Sequence, residues 1–89
     1  MINFIYSKRY LSSRKKFLKN NLRRLKDLGN ALRLFSMNPT HPSLYIEKLK
    51  GSKIWTIRIA EGNRLFFVWF DENTALLIDI GKHDKYRKY

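Results

Sequence analysis

The chain has 89 residues, 44% of them hydrophobic and 15% aromatic, and no cysteine. That leaves room for one domain around one modest core, and it excludes a disulfide staple, a thiol nucleophile and a thiolate metal site. Nineteen Lys and Arg against seven acids give a net charge of +12, which implies a polyanionic partner: nucleic acid ahead of an acidic protein or an anionic membrane.

The N-terminal MINFIYSKR is too short an apolar run for a signal peptide, and nothing approaches the roughly 20 apolar residues of a membrane span. A cytoplasmic protein with no membrane partner is expected. Asn3 to Tyr6 reads as a short, β-prone strand, after which Ser7 can cap a helix. From there Phe17, Leu18, Leu22, Leu25, Leu28, Leu32 and Phe35 recur in steps that place them on one apolar stripe. One unbroken helix over this stretch would be about 45 Å long. A domain of this length has a radius of gyration of about 12 Å. A break at Asn20–Asn21 and two packed helices are therefore expected. Charge concentrates here, with ten basic residues and only Asp27 acidic among residues 1–33.

The run Asn38-Pro39-Thr40-His41-Pro42 ends the second helix, because each proline disfavours helix in the residue before it. An irregular segment leads through Gly51 to three strands. Lys53 to Ala60 alternates, with Trp55, Ile57 and Ile59 opposite Ile54, Thr56 and Arg58. Arg64 to Phe70 is the most apolar strand and Thr74 to Ile80 the last, with turns at Glu61-Gly62-Asn63 and Asp71-Glu72-Asn73. Gly81 ends the last strand, and KHDKYRKY is a basic tail. The expected fold is a single α+β domain over residues 1–89: a strand, a two-helix hairpin, then a three-stranded antiparallel meander with helices on one face. The other face is also apolar in RLFFVWF, so the tail or a partner chain should cover it.

Arg58 and Arg64 flank the first turn of the meander. A three-residue loop would pair residue 60 with 64 and put the two arginines on one face as diagonal neighbours. A two-residue loop would put them on opposite faces. Gly62 or Asn63 can supply the left-handed residue that the three-residue loop needs. Together the two guanidiniums would fork a phosphate and stabilise a charged transition state. Solvated or salt-bridged strand arginines are the plain alternative. His83 and Tyr86 suit acid–base work, in the field of Lys82, Lys85, Arg87 and Lys88; a frayed basic tail is the alternative. Lys48, Lys50 and Lys53 enter the sheet as phosphate contacts or as a solvated run, and His41, between Thr40 and Pro42, reads as a loop or capping residue. No metal-ligand spacing, glycine-rich phosphate loop or GxSxG is present.

The ordered series NPTHPSL, EKLKG, WTIRI, NRLFFVW and LIDIGKHDKY, following a strand and a basic helical pair, resembles the RelE/ParE superfamily of type II toxin–antitoxin toxins. It looks most like the branch with HPSL before KLKG and a C-terminal HD motif. The resemblance implies an endoribonuclease, an mRNA interferase that cleaves mRNA on the ribosome without metal or other cofactor. The RNA 2′-OH attacks the neighbouring phosphate. It also implies an antitoxin protein as partner, beside mRNA and rRNA. Arg64 matches the arginine of the family's YRLVY-like strand, although Asn63 replaces the aromatic before it. Arg58 sits where relatives carry a basic residue, and His83 and Tyr86 fall where relatives place proton-transfer groups. The resemblance makes Arg58, Arg64, His83 and Tyr86 the catalytic set. Lys48 and Lys50 match the family's RNA or rRNA contacts, and Lys53, Lys82, Lys85 and Arg87 join them in the expected RNA-binding set. The ParE branch, with the same fold, inhibits DNA gyrase instead, so a gyrase inhibitor or a non-cleaving ribosome binder is the alternative.

Overall fold

The structure, a computed structural model, describes residues 1–60 and 62–89. The chain runs β1 (Asn3–Tyr6), α1 (Lys8–Leu18), α2 (Leu22–Met37), a 3₁₀ turn (Pro42–Leu44), β2 (Glu47–Lys48), β3 (Trp55–Ala60), β4 (Asn63–Asp71), β5 (Thr74–Lys82) and a C-terminal 3₁₀ helix (His83–Lys88). The α+β order is the expected one, and β3, β4 and β5 form the antiparallel meander. Two further strands complete a five-stranded sheet in the order β1-β5-β4-β3-β2, with β1 parallel to β5.

Local chemistry sets the helix boundaries. Ser7 caps α1 by accepting from the Tyr10 amide at 3.0 Å. Asn20 takes a left-handed conformation with φ 52°, which asparagine tolerates better than most residues, and breaks the helical run. Asn21 then caps α2 by accepting from the Arg24 amide at 3.0 Å. The break resets the helical phase, which corrects the single stripe expected from the spacing. Tyr10, Phe17, Leu28, Ala31 and Phe35 are buried, whereas Leu22 and Leu25 are exposed.

The helix-facing side of the sheet supplies Ile57, Leu65, Phe67, Ala75, Leu77 and Ile80 to the core. Phe35 of α2 meets Phe67 at 4.9 Å and Trp69 at 5.8 Å between ring centroids, an aromatic cluster that ties helix to sheet. The opposite side carries Thr56, Arg64, Phe66 and Asp79, all buried. What covers it is the tail: the rings of Tyr86 and Tyr89 lie 5.8 and 5.4 Å from that of Phe66. The last strand does not end at Gly81 but continues to Lys82, because Gly81 and Lys82 pair with Arg64 and Asn63.

Register at the first turn of the meander also differs from expectation. Ala60 pairs with Asn63, not Arg64, so only two positions lie between the paired residues. Gly62 takes a left-handed φ of 80° there, and Glu61 lies outside the described residues. A two-residue turn should separate Arg58 from Arg64, but the register shifts between Arg58 and Ala60, leaving Ile59 as an extra residue. The bulge restores the face, and Arg58 pairs directly with Arg64.

Candidate active site

Pairing across the sheet builds two rows of side chains on the tail-covered face. One row is Glu47, Thr56, Phe66 and Asp79; the next is Arg58, Arg64 and Gly81. Glu47 comes from β2, a two-residue edge strand inside the segment that the sequence presents as irregular. It is the residue that sequence reasoning missed. A signal was available, since Glu47 is the single acid between Asp27 and Glu61 in a strongly basic chain.

Arg64 is the centre of the site, its side chain only 9% exposed. Its Nη2 donates to Glu47 Oε1 at 2.9 Å, Thr56 Oγ1 at 2.9 Å, the Tyr86 hydroxyl at 3.1 Å and the Tyr45 carbonyl at 3.2 Å. The Tyr86 hydroxyl also donates to Glu47 Oε1 and lies 3.2 Å from the Thr56 hydroxyl. Charge-assisted bonds of this kind are about twice as strong as neutral ones. They fix the Glu47 carboxylate at the edge of the sheet, where its side chain remains 54% exposed. Arg64 Nε is buried and has no partner among the described residues.

His83 opens the C-terminal 3₁₀ helix, exposed to solvent, with its ring edge-on to Tyr86 at 4.4 Å. Its amide donates to the Gly62 carbonyl at 2.8 Å, tying the start of the helix to the β3–β4 turn. The tail is therefore a docked element rather than a frayed one. It brings Tyr86 to Arg64 and sets His83 against Tyr86. Arg58 is partly exposed, its guanidinium 5.1 Å from the centroid of the Tyr45 ring.

Asp79 fastens the tail. Its carboxylate is fully buried, accepting from Lys85 Nζ at 2.8 Å, the Tyr89 hydroxyl at 2.7 Å and the Ile80 amide at 2.8 Å. Arg9 of α1 approaches to 3.5 Å. Burial alone would raise this carboxyl, but hydrogen bonds from Lys85, Ser13, Tyr89 and the Ile80 amide outweigh it and hold it down at about 2. Burial, together with the bond to Asp79, pushes the Tyr89 phenol up to about 12. Lys85 also bonds the Ile80 carbonyl at 3.1 Å, and its aliphatic stem lies across Gly81. A Cβ there would come within 2.6 Å of Lys85 Cε.

The expected RNA-binding residues thus divide. Lys48, Lys50, Lys53, Lys82 and Arg87 are exposed, whereas Lys85 is neutralised by Asp79. His41 is a capping residue, its Nδ1 accepting from the Ser43 amide at 3.1 Å. Among the described residues no three His, Cys, Asp or Glu side chains gather as a metal site, and no helix is long and apolar enough to cross a membrane.

No family model and no curated protein matches the chain. Solved structures do match over nearly its full length. A copper-bound mutant toxin from Helicobacter pylori superposes with a TM-score of 0.77 at 19% identity, covering 96% of this chain and 98% of that one. A YoeB/ParE toxin from Agrobacterium tumefaciens gives 0.75 at 15% identity, with 92% and 99% covered. The YoeB–YefM complex from Staphylococcus aureus gives 0.73 at 23% identity, with 93% and 98% covered. The chain has the fold of these YoeB and YoeB/ParE toxins.

Proposed function

We propose that this chain is the toxin of a toxin–antitoxin pair and that it acts as an endoribonuclease on mRNA held in the ribosome. The observation that carries the reading is the Glu47–Arg64–Tyr86 cluster, with His83 against Tyr86 and Arg58 paired to Arg64. RNA cleavage by its own 2′-OH needs a base at that hydroxyl, positive charge at the phosphate and an acid at the leaving oxygen. Each requirement has a candidate here, and none of the three steps calls for a metal ion.

Glu47 takes the 2′-OH proton, and O2′ attacks the adjacent phosphorus. Arg64 and Arg58 offset the added negative charge of the five-coordinate phosphorane. The P–O5′ bond then breaks, and His83 passes a proton to O5′. The products are a 2′,3′-cyclic phosphate and a 5′-hydroxyl. Tyr86 bridges the carboxylate and the imidazole, holding both in place. Lys48, Lys50, Lys53, Lys82 and Arg87 contact the phosphate backbone on either side.

The fold neighbour YoeB is found in complex with YefM in the Staphylococcus aureus structure, which supports an antitoxin as partner here too. An acidic or amphipathic segment would cover the basic surface of this chain. The test is to add purified protein to a translating extract and to a gyrase supercoiling assay. Truncated mRNA with unimpaired supercoiling supports the nuclease. Intact mRNA with blocked supercoiling favours a gyrase inhibitor.

A further inference from the structure

One aromatic residue lies outside the proton-transfer cluster yet is fastened to it. Tyr45 adopts φ 45° and ψ 49°, the left-handed region that a bulky non-glycine residue rarely enters. Two hydrogen bonds keep it there. Its amide donates to the Pro42 carbonyl at 3.1 Å, and its carbonyl accepts from Arg64 Nη2 at 3.2 Å. The 3₁₀ turn capped by His41 leads directly into it. Backbone in a sparsely populated conformation persists where its surroundings over-determine it, and such positions cluster at binding sites.

The result of this local strain is not burial. Tyr45 is 59% exposed, and the Arg58 guanidinium lies over its ring at 5.1 Å from the centroid. Core packing does not require an aromatic at this position, since the neighbouring Leu44 supplies the buried contact. Glu47 follows two residues later. The Tyr45 carbonyl and the Glu47 carboxylate share Arg64 Nη2, and the ring lies with one face under Arg58 and most of its surface open.

We infer that Tyr45 and Arg58 form a stacking platform for one unpaired nucleobase of an RNA strand, on a nucleotide next to the phosphate at Glu47 and Arg64. Every base has a π-face, so an aromatic ring holds an unpaired base with little regard to its identity. Arg58 supplies a cation on the opposite face of the ring and completes a guanidinium–tyrosine–base stack. A base seated here sets which phosphodiester lies over Glu47, so the platform governs the position of the cut. The inference takes its site from the ribonuclease reading, but the binding it describes does not require cleavage.

The experiment uses a short single-stranded RNA carrying 2′-O-methyl riboses, which binds without a free 2′-OH and stays intact. Affinity is measured by fluorescence anisotropy for the parent chain, Tyr45→Phe, Tyr45→Ala and Tyr45→Asn. Asparagine tolerates the left-handed backbone, so Tyr45→Asn removes the ring while relieving the strain. Loss of the ring should weaken binding about tenfold in both the Ala and Asn variants, while Phe stays within about twofold of the parent. The slope of affinity against salt should not change, because stacking releases no counterions.

Cleavage of unmodified mRNA on translating ribosomes is mapped in parallel. Ring-dependent binding without any cleavage leaves the platform standing and overturns the catalytic assignment. Cleavage at the parent position, with Ala and Asn variants binding as tightly as the parent, overturns the platform and leaves the catalytic assignment standing.

Discussion

Arg64 is a poor choice for stability and a good one for chemistry. A buried guanidinium carries a desolvation cost that its partners only partly offset, and its Nε is unpaired among the described residues. Replacing a whole buried ion pair with apolar residues is often neutral or stabilising, but removing one partner leaves the others unmet, here Glu47 and the buried Thr56 hydroxyl. Arg64→Met should therefore lower cleavage by roughly 100-fold or more and also lower Tm. Calorimetry beside a cleavage assay reads both, and a variant that unfolds without losing specific activity would mark Arg64 as a structural residue. Glu47→Gln keeps the shape of the cluster but removes the base, and should lower cleavage about 100- to 10,000-fold. The arginines, His83 and Tyr86 were legible as candidates because their types and order are distinctive. Glu47 was not, because a two-residue edge strand is too short to show any alternation.

At the scale of elements, the decisive pieces are the bulge in β3 and the docked tail. Turn length alone would have separated the arginines, and the extra residue at Ile59 reunites them. A bulge leaves no reliable mark in the sequence, since its cause lies in the pairing with another strand. The helix break at Asn20–Asn21 was legible from length and capping chemistry. Docking of the tail was legible only as one of two covers for the apolar face, because KHDKYRKY has no hydrophobic period and is held by a buried carboxylate on β5. Asp79→Ala should cost roughly 3 kcal/mol, since it strips the partner from a half-buried Lys85 and from Tyr89. In a domain of this size that lowers Tm by roughly 12 °C or more. Hydrogen exchange should then quicken through His83–Lys88 while the β4 core stays protected; uniform protection would show that the tail docks without Asp79.

The same carboxylate sets a pH limit. Its folded pKa of about 2 lies below its ordinary 3.8, so its contribution is complete above about pH 4 and is lost as pH falls towards 2. Tyr89 acts with the opposite sign. Its folded value of about 12 exceeds 10, so its contribution holds below pH 10 and fades as pH rises through 12. Urea midpoints measured from pH 2 to pH 6 should fall on the acid side for the parent. For Asp79→Asn that fall should be shallower, and an identical slope in both proteins would place the titrating group elsewhere.

Over the whole molecule, a Cα radius of gyration of 12.0 Å carries a net charge of +12. That density of charge suits a polyanionic partner. Ten of the nineteen cations lie in residues 1–33, largely on the helices, while the candidate catalytic groups lie on the sheet and tail. The helices carry most of the charge, and the sheet and tail carry the candidate site. The central claim is that this site cleaves RNA by 2′-OH attack, and the most direct measurement is the chemistry of the ends. Translating ribosomes are incubated with the parent protein and with Glu47→Gln, and the termini of the mRNA fragments are determined. The account predicts 5′-hydroxyl ends opposite 2′,3′-cyclic phosphates, or the 3′-phosphates they open to, with the parent alone. Intact mRNA, 5′-phosphate ends, or equal cutting by Glu47→Gln would contradict it.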